Sequence, residues 1–547
     1  MTEPHGGDWL WWKHGVIYQI YPRSFGDSNG DGIGDLDGIS HHLDYLSNVL
    51  GVEAIWLSPF FPSPMADFGY DVSDYCDVDP MFGDLQAFDR LLRASHDRDI
   101  RVIIDFVPNH SSDRHAWFQE SRSSRDNPKR DWYYWRDPKP DGSPPNNWQA
   151  HFGGGAWEWD EATGQYYLHS FLKEQPDLNW RNPELREAMF DAIRFWLDRG
   201  VDGFRIDVAN AIMKDPELRD NPPNPSYDPA IHRPFDSILH TMSHSHPDVH
   251  EVYQDLRRLL DEYSTERPRM MVGEIHIFDY PLWATYYGPT LNEFHLPFNF
   301  GLSRLEELRV PAVRQVVDAV EDALRESGGW PNYVLGNHDV HRVASRFGAE
   351  KAAVAMMLLL TLRGTPTMYY GEEIGMHDVP IPPDRIQDPF EILTPGRGLG
   401  RDPERTPMQW DNGPNAGFSP PGLEPWLPIP DDAGGLNVAV ETEDPRSMLS
   451  LTRALLRLRR DEAALHAGSY RPVDTGGDDC YVYVRESRDR RFLVALNFTG
   501  EPRTLATPFE HGELLLSTHM DRSRPQKMDE FELRPNEGWL VSLTSSP

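Results

Sequence analysis

Gly203-Phe204-Arg205-Ile206-Asp207-Val208 is the stretch on which the fold turns. It is short, β-rich and mostly apolar, and it follows a helical stretch from Pro183 to Arg199. Arg205 and Asp207 stand two residues apart, so strand alternation puts both side chains on one face. Working outward, Val16 to Ile20, Ala54 to Leu57 and Arg101 to Val107 precede it with the same short β-rich character. Met270 to Glu274, Phe294 to Phe298, Asn332 to Leu335 and Thr367 to Tyr370 follow it. Helical patterns such as Leu85 to Ala94, Val249 to Tyr263 and Leu305 to Ser327 lie between or beside these runs. Strands alternating with helices, eight in all, predict a closed (β/α)8 TIM barrel. A doubly wound open sheet is the alternative, which the count disfavours.

Two regions break the alternation. Residues 111–180, after the third strand, are rich in Pro, Gly, Asn and aromatics, with one convincing strand from Gln165 to Phe171. That is too long for a βα loop and predicts an inserted domain. From residue 470 to 547 the pattern becomes short alternating runs: Cys480 to Arg485, Arg491 to Phe498, Gly512 to Ser517 and Gly538 to Ser545. These predict a C-terminal antiparallel β domain, a sandwich by preference. The barrel then takes residues 1–110 and 181–469. Within it, the Pro/Gly-rich span from Gly371 to about Asn437 reads as a rim over one barrel end, or as a plain surface loop.

The formal charge of −34 is spread along the chain, which repels nucleic acid phosphates and suits a neutral ligand. Cys76 and Cys480 are the only cysteines, so a disulfide framework is not expected. The start, Met-Thr-Glu-Pro-His-Gly-Gly-Asp-Trp, lacks the basic region and apolar core of a secretory leader. The best apolar run, Ala352 to Leu362, is too short to span a bilayer, and a cytoplasmic location is the expectation. Of the 17 tryptophans most serve packing, and a subset is expected to line a carbohydrate site with rigid aromatic faces.

The acids carry the chemistry. Asp207 ends the fourth predicted strand, Glu274 ends the fifth and Asp339 follows the seventh. In a barrel these positions converge on the C-terminal face. Retaining glycoside hydrolysis needs one carboxylate to attack the anomeric carbon and one protonated carboxyl to serve the departing oxygen. Asp207 suits the first role and Glu274 the second, with crowding of like charges expected to keep Glu274 protonated. Asp339 can offset positive charge in the transition state. Arg205, costly inside a barrel unless paired, is expected to hold Asp207 ionised. His110 and His338 can donate to sugar hydroxyls, although a lone histidine is more often structural.

An early loop, Asp27-Ser-Asn29-Gly-Asp31-Gly-Ile33-Gly-Asp35, sets candidate oxygen ligands at alternate positions for Ca²⁺ or Mg²⁺. The twelfth position of an EF-hand loop is here Gly38, not an acid. A self-capped Asp/Asn turn is the alternative.

At these residues the chain resembles the α-amylase superfamily of glycoside hydrolases, in its oligo-1,6-glucosidase and α-glucosidase branch. The blocks are Asp105-Phe-Val-Pro-Asn-His110, Gln175-Pro-Asp-Leu-Asn179, Gly203-Phe-Arg-Ile-Asp207, Val-Gly-Glu274 and Asn337-His-Asp339, with Arg405-Thr-Pro-Met-Gln-Trp410 beyond them. The resemblance implies Asp207 as nucleophile, Glu274 as acid/base and Asp339 as transition-state stabiliser. It implies that His110, Arg205 and His338 hold the non-reducing glucose and that Tyr70 stacks under it. Asp67 and Arg405 are implied as a pair gripping its far hydroxyls and closing the pocket, which makes an exo-acting α-glucosidase. The loop at Asp27, Asn29, Asp31, Ile33 and Asp35 matches the branch's metal loop, with a structural Ca²⁺ or Mg²⁺. Val208 is found in many α-1,6-preferring relatives, whereas Ile275-His276-Ile277 departs from the oligo-1,6-glucosidase pattern, so linkage stays open. A glucosyltransferase or isomerase such as trehalose synthase would keep the same acids. A non-catalytic barrel subunit is the reading from another class.

Overall fold

The computed structural model describes residues 9–522 and 525–543. Strands β1 (Ile17–Ile20), β2 (Ala54–Leu57) and β3 (Arg101–Phe106) begin a parallel sheet. After them come β4 (Trp135–Arg136), β5 (Trp157–Asp160) and β6 (Gln165–Leu168), a small antiparallel sheet in the order β4-β6-β5. The parallel sheet resumes with β7 (Gly203–Ile206), β8 (Met270–Gly273), β9 (Leu296–Pro297), β10 (Asn332–Val334) and β11 (Thr365–Tyr369). Its order, β10-β11-β1-β2-β3-β7-β8-β9, is completed by a parallel bridge between Asn299 and Tyr333. That bridge turns the sheet into a barrel and removes the open-sheet alternative.

The strands form because they are buried on both faces. Ile17–Ile20, Ala54–Leu57, Gly203–Ile206 and Met270–Gly273 are buried at every position, as expected of a parallel sheet wrapped in helices. The helix Pro183–Arg199 shows how one unit is punctuated. Asn182 caps it by accepting the N–H groups of Glu184 and Leu185, Pro183 occupies its first turn, and Gly200 ends it at φ 103°. Leu185, Met189, Ile193, Trp196 and Leu197 face the sheet, and the chain then returns directly into β7.

Inside the barrel, the inward positions change character from one end to the other. Ile17, Ala54, Trp56, Ile103, Met270, Val272, Leu296 and Val334 form an apolar plug. One inward position further along, the residues are Asp105, Arg205 and Asp207, with Glu274 beyond Val272. Register places Asp105 directly beside Arg205. The sequence thus builds a dry floor and a charged layer above it.

The C-terminal strands are β12 (Ser469–Pro472), β13 (Cys480–Glu486), β14 (Arg491–Asn497), β15 (Arg503–Ala506), β16 (His511–Ser517), β17 (Pro525–Lys527), β18 (Glu530–Leu533) and β19 (Gly538–Leu543). Six form the antiparallel sheet β12-β13-β14-β19-β16-β17, while β15 pairs with β18. Val482, Val484, Leu493 and Val541 pack against Leu505, Phe531 and Leu533. Tyr481, Tyr483, Val494 and Leu540 on the other face join the barrel's core. Burial on both faces leaves β13 and β14 buried at nearly every position, whereas β16 and β18 keep the alternation of one-sided burial.

No helix among the described residues is long and apolar enough to cross a membrane. Cys76 and Cys480 are both free thiols. The first eight residues, on which the leader-free reading rests, lie outside the described residues, as does Ser545 of the last expected strand.

Candidate active site

The barrel's charged end is organised by one guanidinium. Arg205 on β7 is 1% exposed and contacts three carboxylates: Asp105 on β3 at 2.9 Å, Asp207 at 2.6 Å and Glu274 at 2.8 Å. Only the second of these partners was expected. Asp207 and Glu274 are each the first residue past their strands, β7 and β8, rather than the last within them. Adjacent strands and a shared arginine bring the two carboxylates face to face. Val208 follows at φ 42°, a left-handed conformation that a β-branched side chain resists, at a cost of about 1–3 kcal/mol. That turn aims the Val208 N–H at Glu274 Oε2, 2.9 Å away. The strain therefore ties the backbone after Asp207 to the second carboxylate.

Asp207 and Glu274 do not titrate independently, because Arg205 touches both. Burial pushes the Asp207 carboxyl well above the carboxylate range, and the neighbouring Glu274 and Asp105 charges add to it against Arg205. Burial also works upward on Glu274, but Arg205 and the His276 hydrogen bond outweigh it and hold the carboxyl below its usual range. The His276 contact is a 2.8 Å hydrogen bond from Nε2 to Glu274 Oε1. Two carboxylates on one guanidinium in a buried pocket do not ionise independently, so one proton is shared between them. Asp105, buried beside them, is pushed up to about 6.

Asp339 lies past β10 and behaves as a fixed charge. Burial works upward on it, yet the Arg401 and Arg405 guanidinium groups hold it below the carboxylate range. Arg405 contacts it at 2.8 Å and Arg401 at 3.1 Å. Asp67 and Arg405, expected to grip the far hydroxyls together, do not pair with each other. Asp67 pairs with Arg401, at 2.9 Å, while Arg405 binds Asp339 and the His338 carbonyl oxygen. Arg401 is itself steered by Asp388, 2.7 Å away and fully buried. Both arginines flank one short turn, Asp402–Glu404, inside the Pro/Gly-rich span, which is therefore a functional rim.

The remaining candidates form a hydrogen-bonded wall. The Gln19 amide nitrogen lies 2.8 Å from His338 Nδ1, and His338 Nε2 lies 2.7 Å from the Tyr70 hydroxyl. That hydroxyl donates to Asp105 at 3.1 Å. Burial lowers His338 to about 3, so its ring is neutral and relays hydrogen bonds without adding charge. The Tyr70 ring stacks on His338 with planes 2° apart. His110 is lowered to about 4 by burial and sits 3.0 Å from the Gln175 amide nitrogen, which also donates to Asp67 at 3.2 Å. Trp56 supports Arg205 with its ring and donates Nε1 to Asp105.

Thus Asp207, Glu274, Asp339, Asp67, Tyr70, His110, Arg205, His338 and Arg405 all converge. Sequence reasoning passed over four residues that act with them: Asp105, Gln175, His276 and Arg401. Asp105 and Gln175 open blocks already singled out, and Asp105 shares the inward parity of Arg205. Arg401 sits in irregular chain, where no periodicity marks it.

The early loop lies apart from this site. Asp27 accepts the N–H groups of Gly30 and Gly32, Asn29 that of Asp31, and Asp31 that of Ile33. Asp35 accepts from Ser28 and caps the helix Leu36–His41 through Gly38. These self-caps hold the loop, and each side-chain oxygen keeps a second lone pair that a hard cation can use.

Comparison with known proteins agrees with this geometry. The chain is 42% identical to a probable α-glucosidase of Rhizobium meliloti, with 92% of each chain covered. It is 40% identical to an oligo-1,6-glucosidase of Heyndrickxia coagulans, covering 93% of this chain and 96% of that one. A solved α-glucosyl transfer enzyme, XgtA, superposes with a TM-score of 0.91 at 41% identity, covering 98% and 99% of the two chains. A human amino acid transporter heavy chain is also 40% identical over 90% of this chain and 71% of its own, so overall likeness alone does not argue for catalysis. The carboxylates around Arg205 do. A model of the α-amylase catalytic domain matches residues 19–468, and the chain belongs to that family.

Proposed function

We propose that this protein is a retaining, exo-acting α-glucosidase that releases α-glucose from the non-reducing end of short α-glucosides. The observation that carries the reading is the pair Asp207 and Glu274 on the terminal nitrogens of one buried guanidinium. That closeness suits a retaining pair at about 5 Å better than the 6.5–9.5 Å (approximately) that leaves room for an inverting water. Asp207 attacks the anomeric carbon while Glu274 gives a proton to the departing glycosidic oxygen. The glucosyl ester so formed is opened by water, whose proton Glu274 takes back. Productive attack needs the shared proton on Glu274, and because both carboxyls contact Arg205 its placement there leaves the net charge of the pocket unchanged. A glycosidic oxygen beside Glu274, by displacing the His276 contact, favours that placement. The Asp67–Arg401 pair and Asp339 close the far end of the pocket, which supports removal of one glucose at a time.

A time course on maltose, isomaltose, trehalose and sucrose, resolving anomers, tests the reading. Glucose appearing first as the α-anomer is the expected result, and the fastest substrate fixes the linkage. First release of β-glucose, or no turnover of any member, would sink it. The name of the XgtA enzyme favours a second outcome, in which an acceptor hydroxyl replaces water. A lengthened sugar as main product assigns the protein to that class.

We also propose that the Asp27–Asp35 loop takes one structural Ca²⁺ or Mg²⁺ through Asp27, Asn29, Asp31, Ile33 and Asp35. The alternation of oxygens supports this, and the ion's role would be to hold the loop. Adding either ion to chelator-treated protein is expected to raise the thermal midpoint, and Asp31→Ala to abolish the rise. An unchanged midpoint in the wild-type protein would favour the self-capped turn alone.

A further inference from the structure

A second cluster lies behind the arginines that hold Asp339. His341 Nδ1 is 2.8 Å from Asp378 Oδ2 and 3.5 Å from Glu404 Oε2. The ligand atoms of all three side chains fall within 4.8 Å of one another. Among the described residues, this is the one place where three His, Cys, Asp or Glu side chains gather so closely. The three come from different segments. His341 is two residues past Asp339, Asp378 lies in the first part of the rim, and Glu404 closes the turn between Arg401 and Arg405.

The unsatisfied partner is Glu404. Its side chain is only 2% exposed, and Oε2 has no hydrogen-bond donor although it points into the cluster. His341 Nδ1 stands closer to Asp378 than to Glu404, 2.8 against 3.5 Å, so Glu404 is the poorly served carboxylate. Asp378 is held in place from behind, because its Oδ1 accepts the Arg342 N–H at 2.8 Å. A buried carboxylate oxygen without a donor is costly, and such groups call for an explanation. A cation supplies one.

We propose that His341, Asp378 and Glu404 bind a first-row transition dication of the Zn²⁺, Mn²⁺ or Co²⁺ type. An imidazole nitrogen with two carboxylates suits these ions, whereas Ca²⁺ and Mg²⁺ prefer oxygen alone. Three ligands at about 2.1 Å from a tetrahedral ion stand about 3.4 Å apart. The observed separations from His341 bracket that spacing, so small side-chain shifts complete the site. His341 is 48% exposed at its side chain, which leaves a route for the ion and a fourth position for water. Bound there, the ion would fasten the segment carrying His338 and Asp339 to the turn carrying Arg401 and Arg405.

The test uses the full chain, stripped by chelator and then saturated with Ca²⁺ to fill any hard-ion loop. Calorimetric titration with Zn²⁺ is expected to show one site per chain and to raise the thermal midpoint. Co²⁺ is expected to give the visible absorption of a low-coordinate nitrogen–oxygen site. His341→Ala and Glu404→Gln should each weaken Zn²⁺ binding by at least about tenfold and remove the Co²⁺ bands. His341→Ala changes a half-exposed side chain, so its metal-free circular dichroism should match the wild type, and its midpoint is compared with and without Zn²⁺. If Glu404→Gln fails that match, His341→Ala alone decides. No binding by the wild-type chain, or binding undiminished in His341→Ala, would overturn the proposal. None of these readouts requires turnover, so the site stands or falls separately from the α-glucosidase reading.

Discussion

Asp207→Ala is expected to lower kcat/KM on an aryl α-glucoside by about 10⁴- to 10⁶-fold, the scale seen when a covalent nucleophile is removed. The structure says why the loss should be clean. Asp207 is the carboxylate that burial and its neighbours push upward, so its removal relieves repulsion in the pocket. Arg205 keeps Asp105 and Glu274 as partners, at 2.9 and 2.8 Å. The thermal midpoint should therefore stay level or rise, as often happens when a strained catalytic group is removed. A fall in activity together with unfolding would mean that Asp207 is structural. Chemical rescue gives a second check. Azide can enter the space left by the carboxylate and attack the same face of the anomeric carbon. Turnover should return in part, with β-glucosyl azide as product. Activity within tenfold of wild type would remove Asp207 from the nucleophile role.

Much of this site was legible in the sequence, and the reason is periodicity. A parallel barrel forces each strand to alternate, so an acid at the apolar end of β7 or β8 has one place to go. Gly203–Ile206 and Met270–Gly273 each stop one residue before their acid, within the usual error of a strand boundary. The rim was legible only as a region. Arg401 and Arg405 both lie there, but choosing the partner of Asp67 depends on how the turn Asp402–Glu404 folds, and no local pattern encodes that. Only Arg405 lay in a block that resembled the branch, which is why Arg401 went unnoticed beside it.

The contacts that bear on the shared proton were not legible in the sequence for a different reason. Proximity of Asp207 and Glu274 could be read from strand order, but where the proton sits depends on who touches which oxygen. His276 reaches Glu274 Oε1 and the Val208 N–H reaches Oε2, while Asp207 has only Arg205. Three donors against one bear on where that proton sits. Those contacts belong to the irregular residues after β7 and β8, where neither alternation nor propensity says anything.

Replacing Arg205 by Met is expected to have the largest effect on stability. A methionine fills similar space on the inward face but leaves Asp105, Asp207 and Glu274 crowded without a cation. Removing one partner of a buried ion pair costs about 3–5 kcal/mol, and here three carboxylates lose the same partner. The pH dependence separates this cause from simple misfit. Arg205 favours the ionised carboxylates, and it holds Glu274 low in the folded protein. A group depressed in this way adds stability above its unfolded value and loses it as pH falls. Asp105 already sits at about 6 with Arg205 present, and without it the carboxyl moves higher still. In the variant, therefore, the folded pocket takes up protons and is penalised most above pH 6, where carboxylates must otherwise be charged. The gap in thermal midpoint between wild type and Arg205→Met should narrow steadily as pH falls from 8 to 5 (approximate limits set by the usual carboxylate range). A gap of constant size across that range would mean that packing around Trp56 and Tyr70, not charge, is what Arg205 contributes. Activity should vanish in either case, because Asp207 and Glu274 are then no longer held on one guanidinium, so stability rather than turnover is the measurement that discriminates.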